Sequence, residues 1–416
     1  MKSDRHLVPL KPAMGPNGAC PHCASTEVTA TGSWFPGIHV LGRYTCRSCG
    51  SSFVRDLPVS HALAHPVTAT PQGQVLDPQQ VPEWIRDAFQ RGIRDLKADE
   101  VRIERRVFRE HRRVVVLNTL DFLYGHVLLK LYNALHYIDR HPDLGLVVVL
   151  PRMYAWLIPD GVAEAWIVDL GLGRLQGWYP AIDRFVQERL AGYDEAYLAP
   201  AYSHPDVAGM DIARFTGVKA FDPDRFNTEP LHVTFVTRED RLWFRNPVTR
   251  FLHRACNRLG LRALSGPLVV GDQDRLVKAT MRKVRRHDPS ATFSVVGLGD
   301  ARIRMNGVDD LRTRSMNVEV EKAWCTAYGR SQCVVGVHGS NMLLPTAHAG
   351  ACIEILPRQR FENIVQDITV RYEGRAVLFH YRFVGDHATP TEVALHIRSL
   401  REHRPVFMRN NHELVF

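Results

Sequence analysis

The sequence predicts an α/β protein with two Rossmann-like domains that face each other across a cleft. From residue 113 onward, short apolar runs alternate with stretches of helical periodicity, and the scheme repeats after residue 231. The run Arg113–Asn118 is typical of a parallel strand that is covered on both faces. Sheets of this kind bind ligands beyond the carboxyl ends of their strands. A small cysteine-containing segment precedes both halves.

Length and composition agree with this division. The chain has 416 residues, of which 45% are hydrophobic and 23% charged, so two or three domains are expected. No apolar run approaches the roughly 20 residues that span a membrane, and the first residues lack the apolar core of a signal peptide. We therefore expect a cytoplasmic protein without a transmembrane segment. The formal net charge of +9 favours anionic partners, without choosing among nucleotides, nucleic acid and acidic membranes.

Four of the eight cysteines form two CxxC pairs near the start of the chain: Cys20 with Cys23, and Cys46 with Cys49. Two such pairs supply four thiolates in the tetrahedral arrangement that structural zinc prefers. Residues between the pairs alternate as in a β-hairpin, so the segment resembles a zinc ribbon, and the expected cofactor is a structural Zn²⁺. A redox role for CxxC is the alternative, although a thioredoxin-like context is missing.

The domain boundaries follow from composition and pattern. Residues 58–82 are rich in Pro, Gln, Ala and Thr, which is typical of a linker, and His61 and His65 are predicted to be ordinary linker histidines. The predicted divisions are a zinc ribbon (1–57), a linker and helix (58–100), an N-terminal Rossmann-like domain (101–225) and a C-terminal Rossmann-like domain (226–416).

In the first half, strands are predicted at Arg113–Asn118 and Gly145–Pro151, with further short strands near 165–171 and 195–200. Apolar residues recur at helical spacing between the first two strands, which completes a βαβ unit. Asp121 and His126 follow the first strand, at the edge that should face the cleft. A helix cap and a packed histidine are the ordinary interpretations of this pair.

In the second half, an apolar pattern of the same kind predicts five strands and a final helix, Glu392–Glu402. The predicted strands are Leu231–Thr237, Ala291–Gly299, Gln332–Gly339, Ala351–Pro357 and Ala376–Phe383. Two arginine-rich stretches, Val101–Arg113 and Arg275–Asp288, are predicted to be helix surfaces, and such charge runs are ordinarily solvated.

The end of the strand before His338 carries the strongest functional signal. Gly339 removes a side chain, so a ligand can approach the backbone closely. Ser340 or Asn341 is expected to cap a following helix, whose free N–H groups would bind phosphate. Arg238 and Arg241 follow another strand, where guanidinium groups could bind a diphosphate. A capped helix without a ligand and an exposed turn are the alternatives.

The segment Ser315–Pro357 resembles the signature of glycosyltransferase family 61, in which a strand leads into GxHGAGLTN and later into an IEI strand. The chain has HGSNMLLPTAHAG, one residue shorter than the family's HGAGLTNxLFMPPG. His232–Pro247 also resembles the family's strand and Arg-rich turn, and the resemblance spans residues 231–368. The matching signature residues are Gly336, His338, Gly339, Asn341 and Glu354.

The resemblance implies a two-Rossmann fold of the GT-B type and an inverting, metal-independent glycosyltransferase. The implied partners are a nucleotide-sugar donor, mostly a UDP-sugar in that family, and a glycan or protein hydroxyl as acceptor. No catalytic metal is expected. The catalytic base would come from the N-terminal half, where Asp121 and His126 are the candidates. The candidate donor-binding residues are Arg238, Arg241, His338, Gly339, Ser340, Asn341 and Glu354.

Other interpretations stay open at this stage. Asp222–Asp224 reads DPD, a D-x-D that could bind a metal, and Gly171–Gly177 resembles a dinucleotide-binding glycine loop. The competing functional class is a zinc-ribbon protein that binds nucleic acid or protein through a non-catalytic α/β body. Aromatic residues interleaved with basic ones are scarce, so nucleic acid is not the expected partner.

Overall fold

The computed structural model describes residues 6–15, 18–364, 366, 369 and 372–411. Ile368, at the end of the span that resembles family 61, lies outside the described residues. The chain divides into two compact units, Met1–Asp206 and Val207–Phe416. Each unit contains a six-stranded sheet, and the first also contains a four-stranded sheet. The predicted α/β class is confirmed, while the boundaries at residues 57, 100 and 225 stay a prediction.

Strands and helices are numbered here along the described chain. The strands are β1 (Val8–Lys11), β2 (Val28–Trp34), β3 (Leu41–Cys46), β4 (Ser52–Asp56), β5 (Thr68–Ala69), β6 (Ile103–Val107), β7 (Arg113–Asn118), β8 (Gly145–Pro151), β9 (Glu164–Val168), β10 (Glu195–Leu198), β11 (His232–Val236), β12 (Thr292–Val296), β13 (Val308–Asp310), β14 (Cys333–Val337), β15 (Cys352–Leu356) and β16 (Tyr381–Gly385). The helices are α1 (Glu83–Arg94), α2 (Tyr124–Tyr132), α3 (Ala134–Arg140), α4 (Pro180–Ala191), α5 (Ala213–Thr216), α6 (Pro247–Arg258), α7 (Arg262–His287), α8 (Val318–Gly329), α9 (Leu343–His348), α10 (Arg375–His380) and α11 (Pro390–Asn410).

The large sheet of the first unit has the strand order β1-β10-β7-β8-β9-β6. Its four central strands are parallel, and β1 and β6 pair antiparallel at the two edges. The strands β7 and β8 are buried almost throughout, which explains their continuous apolar sequences. From β7 the chain proceeds to β8 and β9 on one side, whereas β10 pairs on the other side. The strand order therefore reverses between β7 and β10, which makes this the first switch point.

The sheet of the second unit is parallel throughout, with the order β13-β12-β11-β14-β15-β16. Counted within the unit this is the order 3-2-1-4-5-6, which is the arrangement of dinucleotide-binding Rossmann sheets. Buried side chains such as Phe235, Phe293 and Ile353 form its core. The order reverses between β11 and β14, the second switch point.

The four-stranded antiparallel sheet β2-β3-β4-β5 is the cysteine-bearing sheet: Cys46 ends β3, Cys49 lies in the turn before β4, and Cys20 and Cys23 lie in the segment before β2. It shares a hydrophobic core with α1 and with Trp178, and the Trp34 and Trp178 rings meet edge to face at 5.2 Å. Part of the predicted linker is ordered, because β5 pairs with β4 and Val67 is fully buried. The cysteine-bearing sheet is thus packed onto the rest of its unit.

Three sequence-based assignments differ from the structure. The stretch Val101–Arg113 contains the edge strand β6, where the Arg105 guanidinium pairs with Glu164 of the neighbouring strand β9. The predicted strand Ala376–Phe383 begins as helix α10 and becomes extended only at Tyr381. The final helix is longer than expected: it begins at Pro390, after a capping box formed by Thr389 and Glu392, and continues to Asn410. No described helix is long and apolar enough to cross a membrane.

Candidate functional site

The four N-terminal cysteines lie together, with all their sulfur atoms within 4.8 Å of one another. The Sγ atoms of Cys20 and Cys49 are 3.7 Å apart, and those of Cys23 and Cys46 are 3.6 Å apart. Zn–S bonds of about 2.3 Å in a tetrahedron place sulfur atoms about 3.8 Å apart. The four cysteines can therefore bind a metal ion such as zinc.

The second switch point brings together the segments that follow β11 and β14. Arg238 donates from Nη1 to Oδ1 of Asn341 at 3.0 Å, and Arg241 donates from Nη1 to the carbonyl of His338 at 3.2 Å. Nδ2 of Asn341 is buried and makes no hydrogen bond to a described residue. Two guanidinium groups and a buried amide donor thus converge where sheets of this order bind their ligands.

Gly339 is required at this turn. Its φ of +148° disfavours any residue with a side chain, and a Cβ there would also meet the end of the Arg241 side chain. The expected side-chain cap by Ser340 or Asn341 is wrong. A 3-10 turn at Ser340–Met342 and the six-residue helix α9 follow, and neither has a side-chain cap at its start. The arginine side chains, not a helix terminus, therefore supply the positive charge of this site.

His338 and Glu354 form a buried pair across neighbouring strand ends. Nδ1 of His338 lies 3.0 Å from Oε1 of Glu354, and the Tyr381 hydroxyl donates to Oε2 of Glu354 at 2.9 Å. The His338 side chain is 3% exposed and that of Glu354 is fully buried. His338 and Glu354 are therefore placed to fix the shape of the turn after β14. Ser340 lies in the same turn and is half-buried.

The first switch point carries a different set of side chains. Asp121 is 1% exposed, and its Oδ2 lies 2.9 Å from Nζ of the fully buried Lys130. The backbone N–H of Leu123 donates to Oδ1 of Asp121 at 3.1 Å. Burial alone would raise the pKa of the Asp121 carboxyl, but the positive charge of Lys130 and the neighbouring His126 ring lower it below its usual range. Asp121 is therefore an ionised carboxylate in the interior.

His126 stands one helical turn before Lys130 on α2, so both side chains lie on the face directed at Asp121. The distance from Nδ1 of His126 to Oδ2 of Asp121 is 3.5 Å. Nδ1 is buried and makes no hydrogen bond with the part of the chain that the structure describes. The structure thus brings the two predicted catalytic residues together.

Two further histidines meet this pair, and sequence analysis missed both. The ring centroid of His126 is 5.2 Å from that of His61 and 5.7 Å from that of His204. Burial and, next to it, the neighbouring His126 lower the pKa of His61 to about 4, and burial also lowers the pKa of His204. These imidazoles are neutral near pH 7. His61 was predicted to be a linker histidine, and no pattern in the sequence relates it to a position sixty residues away.

Backbone conformation holds these two histidines in place. Among the described residues other than glycine, φ is positive at Ala24, Ser60 and Ala201. Ser60 precedes His61, Ala201 lies three residues before His204, and the Ser60 N–H donates to the carbonyl of Pro200 at 2.9 Å. Uncommon backbone conformations of this kind concentrate at functional sites.

A cleft of about 760 Å³ opens beside this cluster, within the first unit. His61 and Asp121 line it, together with aromatic and charged side chains that include Trp84, Tyr179 and Arg174. Its volume falls within the range of small-molecule sites, roughly 300–1,000 Å³. The walls come from the loop between β2 and β3, the segment after β4, helix α1 with the residues that follow it, and the segments after β7 and β9.

The two weaker motifs have simple structural explanations. Asp222 caps a 3-10 turn at Pro223–Arg225 by accepting from the N–H of Asp224, as a turn residue does. The glycine loop Gly171–Gly177 contains a 3-10 turn and is followed by α4, which begins at Pro180. Neither motif lies at a strand-to-helix phosphate turn.

Comparison with known proteins adds no identification. The chain matches no protein-family model and none of the curated proteins.

Proposed function

We propose that the chain is an inverting glycosyltransferase that binds a nucleotide-sugar, such as a UDP-sugar, at the second switch point. The observation that carries the proposal is the convergence of Arg238, Arg241 and Asn341 between β11 and β14 of a 3-2-1-4-5-6 sheet. A parallel sheet of this order binds nucleotides at its switch point, and guanidinium groups suit a diphosphate. The resemblance to family 61 supports the same site.

In the proposed reaction, an acceptor hydroxyl oxygen attacks the anomeric carbon while the bond from that carbon to the diphosphate breaks. The charge that develops on the diphosphate would be stabilised by Arg238, Arg241 and the amide of Asn341. His338 and Glu354 would position the turn through their buried contact at 3.0 Å. Donor binding by these groups needs no metal ion.

The acceptor would be a glycan or protein hydroxyl that binds in the cleft of the first unit. Asp121 and His126 are the groups proposed to take its proton. A GT-B arrangement, with the two units facing each other, belongs to this proposal.

The test is a thermal-shift panel of UDP, GDP, CMP and NADH on the full chain, on Arg241→Ala and on Arg286→Ala. Arg286 is an exposed arginine in the last turn of α7, just before β12 begins, and serves as the matched control. We expect one nucleoside diphosphate to raise the melting temperature of the wild type and of Arg286→Ala, but not of Arg241→Ala. No shift with any of these nucleotides would contradict the proposal, and salt-dependent binding to RNA or DNA would favour the nucleic-acid-binding alternative.

A further inference from the structure

We infer that His61, Asp121 and His126 form a second metal site, for a single divalent transition-metal ion such as zinc or iron. Each residue offers one ligand atom, and these atoms all lie within 4.8 Å of one another. Two imidazoles and one carboxylate are a donor set that both zinc and iron accept. The inference does not depend on the proposed transferase activity.

The geometry requires only small side-chain movements. Metal–ligand bonds of about 2.0–2.2 Å place neighbouring ligand atoms roughly 3–3.5 Å apart. Nδ1 of His126 and Oδ2 of Asp121 already stand 3.5 Å apart. His61 follows Ser60, which has a positive φ and donates its N–H to the Pro200 carbonyl, so the backbone beside His61 is anchored.

The environment of His126 supplies a second, independent observation. Its Nδ1 is buried and has no hydrogen-bond partner in the part of the chain that is described. Oδ2 of Asp121 lies 3.5 Å away, and the Asp121 oxygens already accept from Lys130 and from the Leu123 N–H. A buried ring nitrogen costs free energy when its lone pair meets no donor. A metal ion between His126, Asp121 and His61 would satisfy that nitrogen.

Lys130 fits the site as an outer neighbour of the ligands. Its ammonium group donates to Oδ2 of Asp121 and to the carbonyl of Leu120, each at 2.9 Å. Each carboxylate oxygen has two lone pairs, so a hydrogen bond from Lys130 leaves one for a metal. Ligating carboxylates are commonly oriented by such hydrogen bonds. The positive charge of Lys130 also lowers the affinity for a cation, so we expect weaker binding here than at the four cysteines.

The coordination would be open on one side. Three protein ligands leave at least one position for another molecule, in contrast to the closed four-sulfur site. Because His61 and Asp121 line the 760 Å³ cleft, that position faces a space large enough for a small ligand. The site would take an oxygen ligand, such as a hydroxyl group. With an ion bound, Asp121 and His126 would hold the ion instead of taking a proton, and the ion would lower the pKa of a bound hydroxyl.

The test counts metal ions in the full chain. Purified protein is saturated with Zn²⁺, dialysed, and analysed for zinc, iron and manganese by plasma mass spectrometry. We expect two ions per wild-type chain and one per chain in His61→Ala and in His126→Ala. His65→Ala, four residues along the same segment, is the matched control and should keep two.

Cobalt substitution adds a measurement on the wild type, which decides the inference even if a single variant fails to fold. Co²⁺ at four thiolates gives intense charge-transfer absorption, whereas a site of nitrogen and oxygen ligands gives only weak visible bands. We expect both signatures in the wild type, and only the weak bands to disappear in His61→Ala. One ion per wild-type chain, with a cobalt spectrum of thiolate character alone, would overturn the inference.

Discussion

The two switch points occupy the same place in their sheets but carry opposite chemistry. In the first unit, a buried carboxylate, a buried lysine and three histidines meet beyond β7 and β10. In the second unit, two arginines and an amide donor meet beyond β11 and β14. Topology fixes where a ligand can bind, and the residues after each strand decide which ligand it is. The first site suits a cation or a hydroxyl group, and the second suits an anion.

The sites also differ in how their charges are compensated. The side chains of Asp121 and Lys130 are 1% and 0% exposed, whereas those of Arg238 and Asp240 are 25% and 52% exposed. A buried pair cannot lose one partner without leaving an uncompensated charge in the interior. An exposed pair is screened by water and contributes little to stability. We therefore expect substitutions at the first site to change the free energy of unfolding, and substitutions at the second site to change ligand affinity.

The largest expected effect comes from removing the metal at the four cysteines, because Cys20 and Cys46 belong to the small hydrophobic core of the four-stranded sheet in the first unit. Cys46→Ser should abolish high-affinity zinc binding, and structural zinc contributes about 10–16 kcal/mol of folding free energy in zinc-finger peptides. We expect the first unit to become sensitive to limited proteolysis while the second keeps its resistance. Cys256→Ser, a half-buried cysteine outside that cluster, is the control. Equal resistance of both units in Cys46→Ser would contradict this expectation.

The next prediction compares how much one charged side chain at each site contributes to the free energy of unfolding. Lys130→Met should lower the free energy of unfolding by about 3–5 kcal/mol, because Asp121 then stays buried without its counter-charge. Arg238→Ala at the other switch point should cost no more than about 1 kcal/mol. Urea denaturation followed by circular dichroism measures both. Losses of equal size would show that the contrast in burial has no energetic consequence.

A smaller effect concerns ligand affinity at the second site. Asn341→Asp preserves shape but replaces a buried donor with a negative charge beside the expected diphosphate. We expect diphosphate affinity to fall about 10- to 100-fold, since hydrogen bonds to charged groups contribute roughly 1.5–3 kcal/mol. Isothermal titration measures the change, with Asn306→Asp in the loop before β13 as the control. An unchanged dissociation constant for Asn341→Asp would exclude this residue from the site.

The smallest expected effect concerns the half-buried carboxyl of Glu321 on α8, the helix that precedes β14 and the second switch point. Burial raises the pKa of Glu321 from its usual 4.5 to about 7. Between about pH 4.5 and pH 7 the folded state keeps a proton that the unfolded state has lost, so stability falls as the pH rises. In Glu321→Gln the free energy of unfolding should therefore decrease by about 1–3 kcal/mol less than in the wild type over this pH range. Glu319→Gln, exposed on the same helix, is the control, and identical pH profiles of both variants would contradict the prediction.

Local patterns predicted the strands because continuous apolar runs mark buried parallel strands, as in β7 and β8. They also placed Asp121 and His126 beside each other, since both follow one strand within a few residues. They could not find His61 or His204, because their positions depend on long-range packing and on backbone conformations at Ser60 and Ala201. The edge strand β6 was mistaken for a helix surface because its charged side chains obscure the strand alternation.

The most direct test of the account is a crystal structure of the full chain with Zn²⁺ and UDP, using anomalous scattering to locate the ions. The account predicts the diphosphate at the second switch point, in contact with Arg238, Arg241 and Asn341. It predicts one zinc ion among the four cysteines and another at His61, Asp121 and His126. Diphosphate density in the cleft beside Asp121, with no ligand at the second switch point, would contradict the assignment of opposite chemistries to the two sites.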